Sequence, residues 1–373
     1  MTVAQTLTDL GGSFEFLLAV TPTNLDAAWH EFRTAGHRRA PGFEYAPLEV
    51  DPAKLCDALA TLALTEPLHV AKREELRHQL AMLSHRDSPE FLAASLAHYG
   101  AVDPGLLASA HEILAAPVSP RATDGERCDA SAFCSLAETE LEAYRRQLPT
   151  LTTQILMRDD LSSLCVSRGN LLIPRQLDVA RDRATALLHH EVGTHVVTYV
   201  NGKSQPLQML GVGLPGYEAL QEGLAMLAEY FAGGLDQDRL RLVAARVVAV
   251  HRLVEGGRFE AVYEELVALG FSPRIAFGIV TRVFRGGGLT KDAIYLRGVV
   301  QLLAALAAGI ALATLLVGKL ALEHVPMIEA MLHDGVLHPA PLRARWLDLP
   351  GADLRLARLR RGLRPLDLLE GVS

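Results

Sequence analysis

The chain has 373 residues, half of them hydrophobic, which is enough for one large domain or two ordinary ones around a sizeable core. A formal net charge of -7 and a pI of about 6.1 argue against a nucleic-acid or anionic-membrane surface, while a basic substrate stays open. Four cysteines, Cys56, Cys128, Cys134 and Cys165, include no C-x-x-C pair and read as reduced, structural residues of a cytoplasmic protein.

The opening "MTVAQTLTDLGGSFEFLLAV" has no basic n-region and puts acids and glycines before a short apolar run, unlike a signal peptide. Pro22, Pro41 and Pro47 interrupt the first 50 residues or so, and an irregular opening is expected there. From 52 to about 114 the pattern is helical, with starts marked by Ser88 before Pro89 and Glu90, and by Asp103 before Pro104. Residues 1–115 therefore read as an irregular opening and a helical cap, on which Lys72, Arg73, Arg77 and Arg86 form a solvated face. The turn-rich stretch "APVSPRATDGERCDA" at 116–130 marks a boundary, and 116–373 is expected to form the second domain.

A helix to about residue 148 should precede three short β-prone runs at 155–157, 164–167 and 171–173, separated by turn residues around Gly169. A small sheet here offers an edge strand to which an extended peptide backbone can pair.

The stretch "LLHHEVGTHVVTYV" at 187–200 reads as one helix carrying His190, Glu191 and His195. In H-E-x-x-H the two histidines leave one helical face and bind zinc while the glutamate acts as general base. Here the histidines are five apart, which on a regular helix separates them by about 140° instead of ~40°. Both reach one ion if the helix widens locally into a π-bulge, and Gly193, a poor helix former, is the expected place. His189 points away by about 100° and reads as a supporting residue, not a ligand.

After a glycine- and proline-rich loop, "GYEALQEGLAMLAEYFAGG" predicts a second helix over 217–231, closed by Gly233 and Gly234. Glu218, Glu222 and Glu229 share one face. Glu222 is the first choice for a third ligand, because Gly223 and Ala225 let this helix approach the first, and Glu218 is the second. Glu229 reads as solvated. Gly211, Gly213 and Gly216 match G-x-G-x-x-G formally, but no strand precedes them.

Further helices are expected from Asp236 to about Glu255, and from Ser272 to "RGGG". The stretch "RGGGLTKDAIYLRG" then supplies Lys291, Asp292, Tyr295 and Arg297. Were the zinc site to remove a C-terminal residue, it would need a cation for the terminal carboxylate and a donor for the oxyanion; Lys291 or Arg297 would suit the first need and Tyr295 the second. The apolar run 299–318 is long enough for a bilayer, yet its alanines favour a buried central helix. The arginine-rich tail reads as an exposed helical end.

Together "HEVGTH", "NGKSQPLQML", "GLPGYEALQEGLA" and "TKDAIYLRG" resemble the family of the microtubule-associated tyrosine carboxypeptidases and the bacterial flavohaemoglobin expression-modulating QEGLA motif proteins. The resemblance extends from "FEFLLAVTPTN" to "GKLALEHVPMIEAML". It implies that His190, His195 and Glu222 bind zinc, that Glu191 is catalytic, and that Asn201 and Gln205 face the cleft. Eukaryotic members remove a C-terminal tyrosine from tubulin; QEGLA at residues 221–225 is the bacterial form, so the metal chemistry transfers and the tubulin substrate does not.

The sequence thus predicts a predominantly helical α+β protein with a zincin-like catalytic domain, a small sheet and a helical N-terminal cap. One Zn2+ per chain would serve a carboxypeptidase that takes a peptide or protein C-terminus, ending in tyrosine or another aromatic, with no nucleic-acid or membrane partner. The alternatives are an endo- or aminopeptidase at the same site, the latter favoured if Glu218 or Asp292 faces the cleft, and a zinc-binding regulator without turnover. Three ligands and a spare glutamate argue against the last, since structural zinc is usually closed by four.

Overall fold

A computed structural model describes residues 2–118, 125–161 and 163–370. The boundary stretch at 116–130 therefore lies partly outside the described residues. Two compact units emerge, one of Met1–Ala116 with Asp238–Leu296, the other of Pro117–Gln237 with Arg297–Ser373. The placement of 238–296 has no counterpart in the expected 1–115 and 116–373 partition. Its physical reason is an aromatic cluster in which Phe32 meets Phe259 at 5.2 Å, Tyr263 at 4.9 Å and Phe277 at 5.6 Å between ring centres.

The first unit is helical from its start, which corrects the irregular opening up to residue 34; residues 35–51 carry no regular element, as expected. Val3–Gly12, Phe16–Ala19 and Leu25–Thr34 are helices that fit between the prolines and glycines, the first capped by Thr2 accepting from Gln5 N at 3.2 Å. Helices Pro52–Ala60, Pro67–Ser84, Glu90–Tyr99 and Pro104–Ala115 follow, with Asp51 and Asp103 as side-chain caps. Ser88 is not the expected cap, because the helix starts after Pro89 without one, and Lys72 is buried against Glu75 instead of lying on a solvated face. Gln237–Val254, Phe259–Ala268 and Pro273–Phe284 complete the set, and the last stops where Gly286, Gly287 and Gly288 all take positive φ.

In the second unit, Asp129 caps helix Ala130–Gln147 by accepting from Ala132 N at 2.8 Å. Five short strands surround it in sequence: β1 (Arg127–Asp129), β2 (Ile155–Arg158), β3 (Cys165–Ser167), β4 (Asn170–Pro174) and β5 (Asp178–Ala180). β1 and β5 form an antiparallel pair, while the other sheet runs β2-β4-β3, with β2 parallel and β3 antiparallel to the central β4. Arg168 and Gly169, at φ 48° and 78°, make the tight turn between β3 and β4. β4 buries Leu171, Leu172 and Ile173, and both β3 and β4 pack on the histidine helix.

The apolar run at 299–318 is divided, correcting the single buried helix. Helix Ile294–Ala307 ends before Gly309, at φ 92°, and a short helix Leu312–Leu315 follows. The first buries Leu302, Leu303 and Leu306 and exposes Gln301, Ala304 and Ala307, so alanine forms its outer face. No helix among the described residues is long and apolar enough to cross a membrane. The four cysteines are unbridged. The described residues form a predominantly helical α+β molecule with two small sheets.

Candidate metal centre

The histidine helix is α-helical over Arg181–His190, widens to a π-turn over Glu191–Val196 and returns to α-helix over Val197–Lys203. The widening falls at the expected place and brings His190 and His195 together, their ring centres 5.1 Å apart. Gly193 lies inside the π-turn for a packing reason: a Cβ there would stand 2.9 Å from Trp346 Cδ1 and 3.3 Å from His189 Nδ1. Helices widened by one residue in this way concentrate at functional sites.

Helix Glu218–Phe231 supplies Glu222. Its Oε2 is 3.7 Å from His190 Nε2 and 3.9 Å from His195 Nε2. Among the described residues, His190, His195 and Glu222 are the group whose ligand atoms converge, all within 4.8 Å of one another; Glu218 is not part of it. His195 and Glu222 are partly exposed on otherwise buried stretches of their helices, and so mark the open side of the site.

Gly223 does not serve the approach of the two ligand helices, as the sequence suggested. A Cβ on it would stand 2.5 Å from the carbonyl oxygen of Gly298, and a Cβ on Gly298 would stand 1.9 Å from that of Ala219. The helix carrying Glu222 therefore crosses helix Ile294–Ala307 backbone against backbone. Gly223→Ala must push these helices apart beside a ligand; a loss of about 1–3 kcal/mol in folding stability is expected, read by denaturant unfolding. Weaker metal retention should accompany it.

Glu229 corrects the sequence reading most sharply. It is fully buried, receives His190 Nδ1 at 2.7 Å through Oε1, and pairs with Arg183 at 2.7 Å through Oε2. Arg183 also donates to Gly234 O at 2.9 Å, tying the end of one helix to the start of the other. With Nδ1 committed to Glu229, His190 presents Nε2 to the site, the arrangement that orients metal-binding histidines. Burial disfavours a charged His190, but the Glu229 hydrogen bond and the carboxylates of Glu191 and Glu222 prevail and raise its pKa above the ordinary value.

His189 faces the other way, 3.7 Å from Glu140 through Nδ1. Burial first, and Arg345 second, push its pKa down to about 4, so it stays neutral. The unfolded chain takes up that proton near ~6.5, so this residue makes folding stability fall as the pH drops from there toward the folded value.

The donor set fits zinc. Two imidazole nitrogens and one carboxylate, with an acid to spare, are the ligands of an open catalytic site. Ligands bound at ~2.0–2.1 Å in tetrahedral geometry stand ~3.3 Å apart, slightly closer than the separations seen here. The carboxylates of Glu191 and Glu222, which act on His190 from near the site, supply negative charge that a dication would neutralise, while Glu229 is already paired with Arg183.

The remaining expected residues divide. Asn201 and Gln205 are buried and do not act as cleft residues. Asn201 donates to Leu316 O and Leu342 O at 2.8 and 2.9 Å and accepts from Leu342 N at 2.9 Å. Gln205 donates to His338 O at 2.8 Å and accepts from His338 N at 2.9 Å. Both fix loops of the second unit. Lys291 and Tyr295 belong to the first unit, where Lys291 is buried over the Tyr99 ring at 5.5 Å and Tyr295 underlies Arg246 at 5.1 Å. Asp292 is fully buried there, and Arg282 holds its carboxylate at 2.6 and 2.9 Å. Burial alone would raise the Asp292 pKa, but Arg282 and Arg246 hold it far below the ordinary carboxylate range. Arg297, in the second unit, adjoins Gly298 and the crossing beside Glu222.

No curated protein matches the chain. The family described as microtubule-associated tyrosine carboxypeptidase matches residues 30–364, nearly the whole length and including every residue of the centre. The chain belongs to the microtubule-associated tyrosine carboxypeptidase family.

Proposed function

We propose that the protein is a zinc-dependent carboxypeptidase that releases one residue, tyrosine or another aromatic, from a peptide or protein C-terminus. The convergence of His190 Nε2, His195 Nε2 and Glu222, with Glu229 fixing the His190 ring, carries this reading. Zinc bound there would supply Lewis acidity toward the peptide carbonyl and bring the pKa of water toward ~7. Glu191, adjacent in sequence to His190, takes the proton of the attacking water and passes it to the leaving amine. The water oxygen first adds to the peptide carbonyl carbon, and the C–N bond then breaks as the amine takes the proton, so water is consumed and a shortened peptide and a free amino acid result.

Arg297 receives the terminal carboxylate, a role supported by its place beside the helix crossing that flanks Glu222. β3, an edge strand packed on the π-turn, pairs with the extended peptide. An aminopeptidase would need an acid for the substrate's ammonium group, and the Arg282 pairing of Asp292 removes one candidate.

The test is a set of paired peptides with free or amidated C-termini, digested and read by mass spectrometry. Loss of a single C-terminal aromatic residue from the free acids alone is expected. Internal cleavage, or equal cleavage of the amides, would refute the carboxypeptidase assignment.

A further inference from the structure

Side chains that bond to the backbone of the π-turn that brings the two histidines together include Thr194, Thr198 and Trp346. Thr194 Oγ1 donates to His189 O at 3.1 Å, and Thr198 Oγ1 lies 2.8 Å from Thr194 O. The third donor is Trp346 Nε1, at 3.0 Å from Gly193 O. The two threonines belong to the helix itself and travel with it. Trp346 comes from elsewhere, from the short 3-10 turn Arg345–Asp348 in the C-terminal part of the second unit.

That turn is firmly seated. Trp346 is fully buried, with Phe231 of the Glu222 helix 5.1 Å from its ring. Arg345 pairs with Glu140, and its backbone N donates to Tyr144 Oη at 3.0 Å. The indole also lies where a Cβ on residue 193 would be, at 2.9 Å, so glycine at 193 and tryptophan at 346 form one fitted unit.

We infer that Trp346 is a positioning residue of the metal centre: its N–H holds the Gly193 carbonyl and thereby the width of the π-turn. The inference rests on the zinc reading above. If the turn relaxed to a regular α-helix, His195 would stand about 140° from His190 around the axis and the shared ion would lose a ligand. An element far along the chain thus sets the spacing on which H-E-x-x-x-H depends.

The test uses two variants of the full chain, Trp346→Phe and a replacement of Trp346 by benzothienylalanine, which keeps the indole outline and lacks only the N–H. Zinc affinity is measured by chelator competition, the Co2+ absorption spectrum reports ligand geometry, and thermal unfolding of the metal-free protein reports packing. Loss of the N–H is expected to weaken zinc binding by about ten- to a hundredfold. The Co2+ bands should shift, while the metal-free melting temperature of the isostere stays near that of the wild type. An isostere that binds zinc as tightly as the wild type, with an unchanged spectrum, would overturn the inference even if Trp346→Phe does not fold. A wild-type chain that binds no zinc would overturn the inference together with the reading beneath it.

Discussion

Glu191→Gln is expected to retain one zinc per chain and to lower kcat by about 10²–10⁴-fold, the usual contribution of a positioned general base. Glutamine keeps the size of the side chain and loses the carboxylate that accepts a proton. Glu191 is not among the three converging ligands, so zinc binding should survive. It is buried within the π-turn, where a carboxylate is poorly solvated and close to the His190 ring. Steady-state rates on an aromatic-terminated peptide, with metal content measured on the same sample, check this. A variant that keeps its metal and most of its kcat would remove Glu191 from the chemistry.

Glu229→Ala should have the largest effect on the protein itself. It strips a fully buried carboxylate from two partners, His190 and Arg183, and leaves both facing a cavity. Removing one member of a buried charged pair typically costs about 3–5 kcal/mol of folding stability. Zinc affinity should fall as well, by about ten- to a hundredfold, because the His190 ring loses its orientation. Denaturant unfolding and chelator competition separate the two effects. Glu229→Gln, which keeps an acceptor for the His190 N–H but no charge for Arg183, should fall between the wild type and Glu229→Ala on both scales.

The contrast between Glu191 and Glu229 shows how much of the site the sequence contains. His190, Glu191 and His195 are legible because their chemistry and spacing are local: five residues on a helix imply a widened turn, and Gly193 marks it. Glu222 follows from helical periodicity together with family resemblance. Glu229 was not legible as a buried residue, because an acid two turns further along the same face looks like any solvated glutamate. Its burial is decided by Arg183, on another helix, and no local pattern carries that. Gly223 had the right size and the wrong partner, since Gly298 lies far along the chain. Asn201 and Gln205 failed for the same reason: their amides fix backbone groups of Leu316, Leu342 and His338.

The fold divides along similar lines. Helices between clear caps, such as Pro104–Ala115 behind Asp103, were readable from the chain. β1 and β5 were not, because β1 lies in the turn-rich boundary stretch and the two strands pair only with each other, across segments far apart in the chain. The grouping of 238–296 with the first 116 residues depends on aromatic packing around Phe32, which is invisible until both segments are folded.

In the proposed function, His190, His195 and Glu222 together hold one zinc ion on which cleavage depends. This is tested most directly by measuring metal content and peptide cleavage on the purified wild type, on the same protein after chelation and zinc return, and on Glu222→Ala. The expected result is one zinc per chain, cleavage lost on chelation and restored by zinc, and neither metal nor cleavage in the folded variant. Cleavage that persists in the metal-free chain, or zinc held as tightly without Glu222, would contradict it.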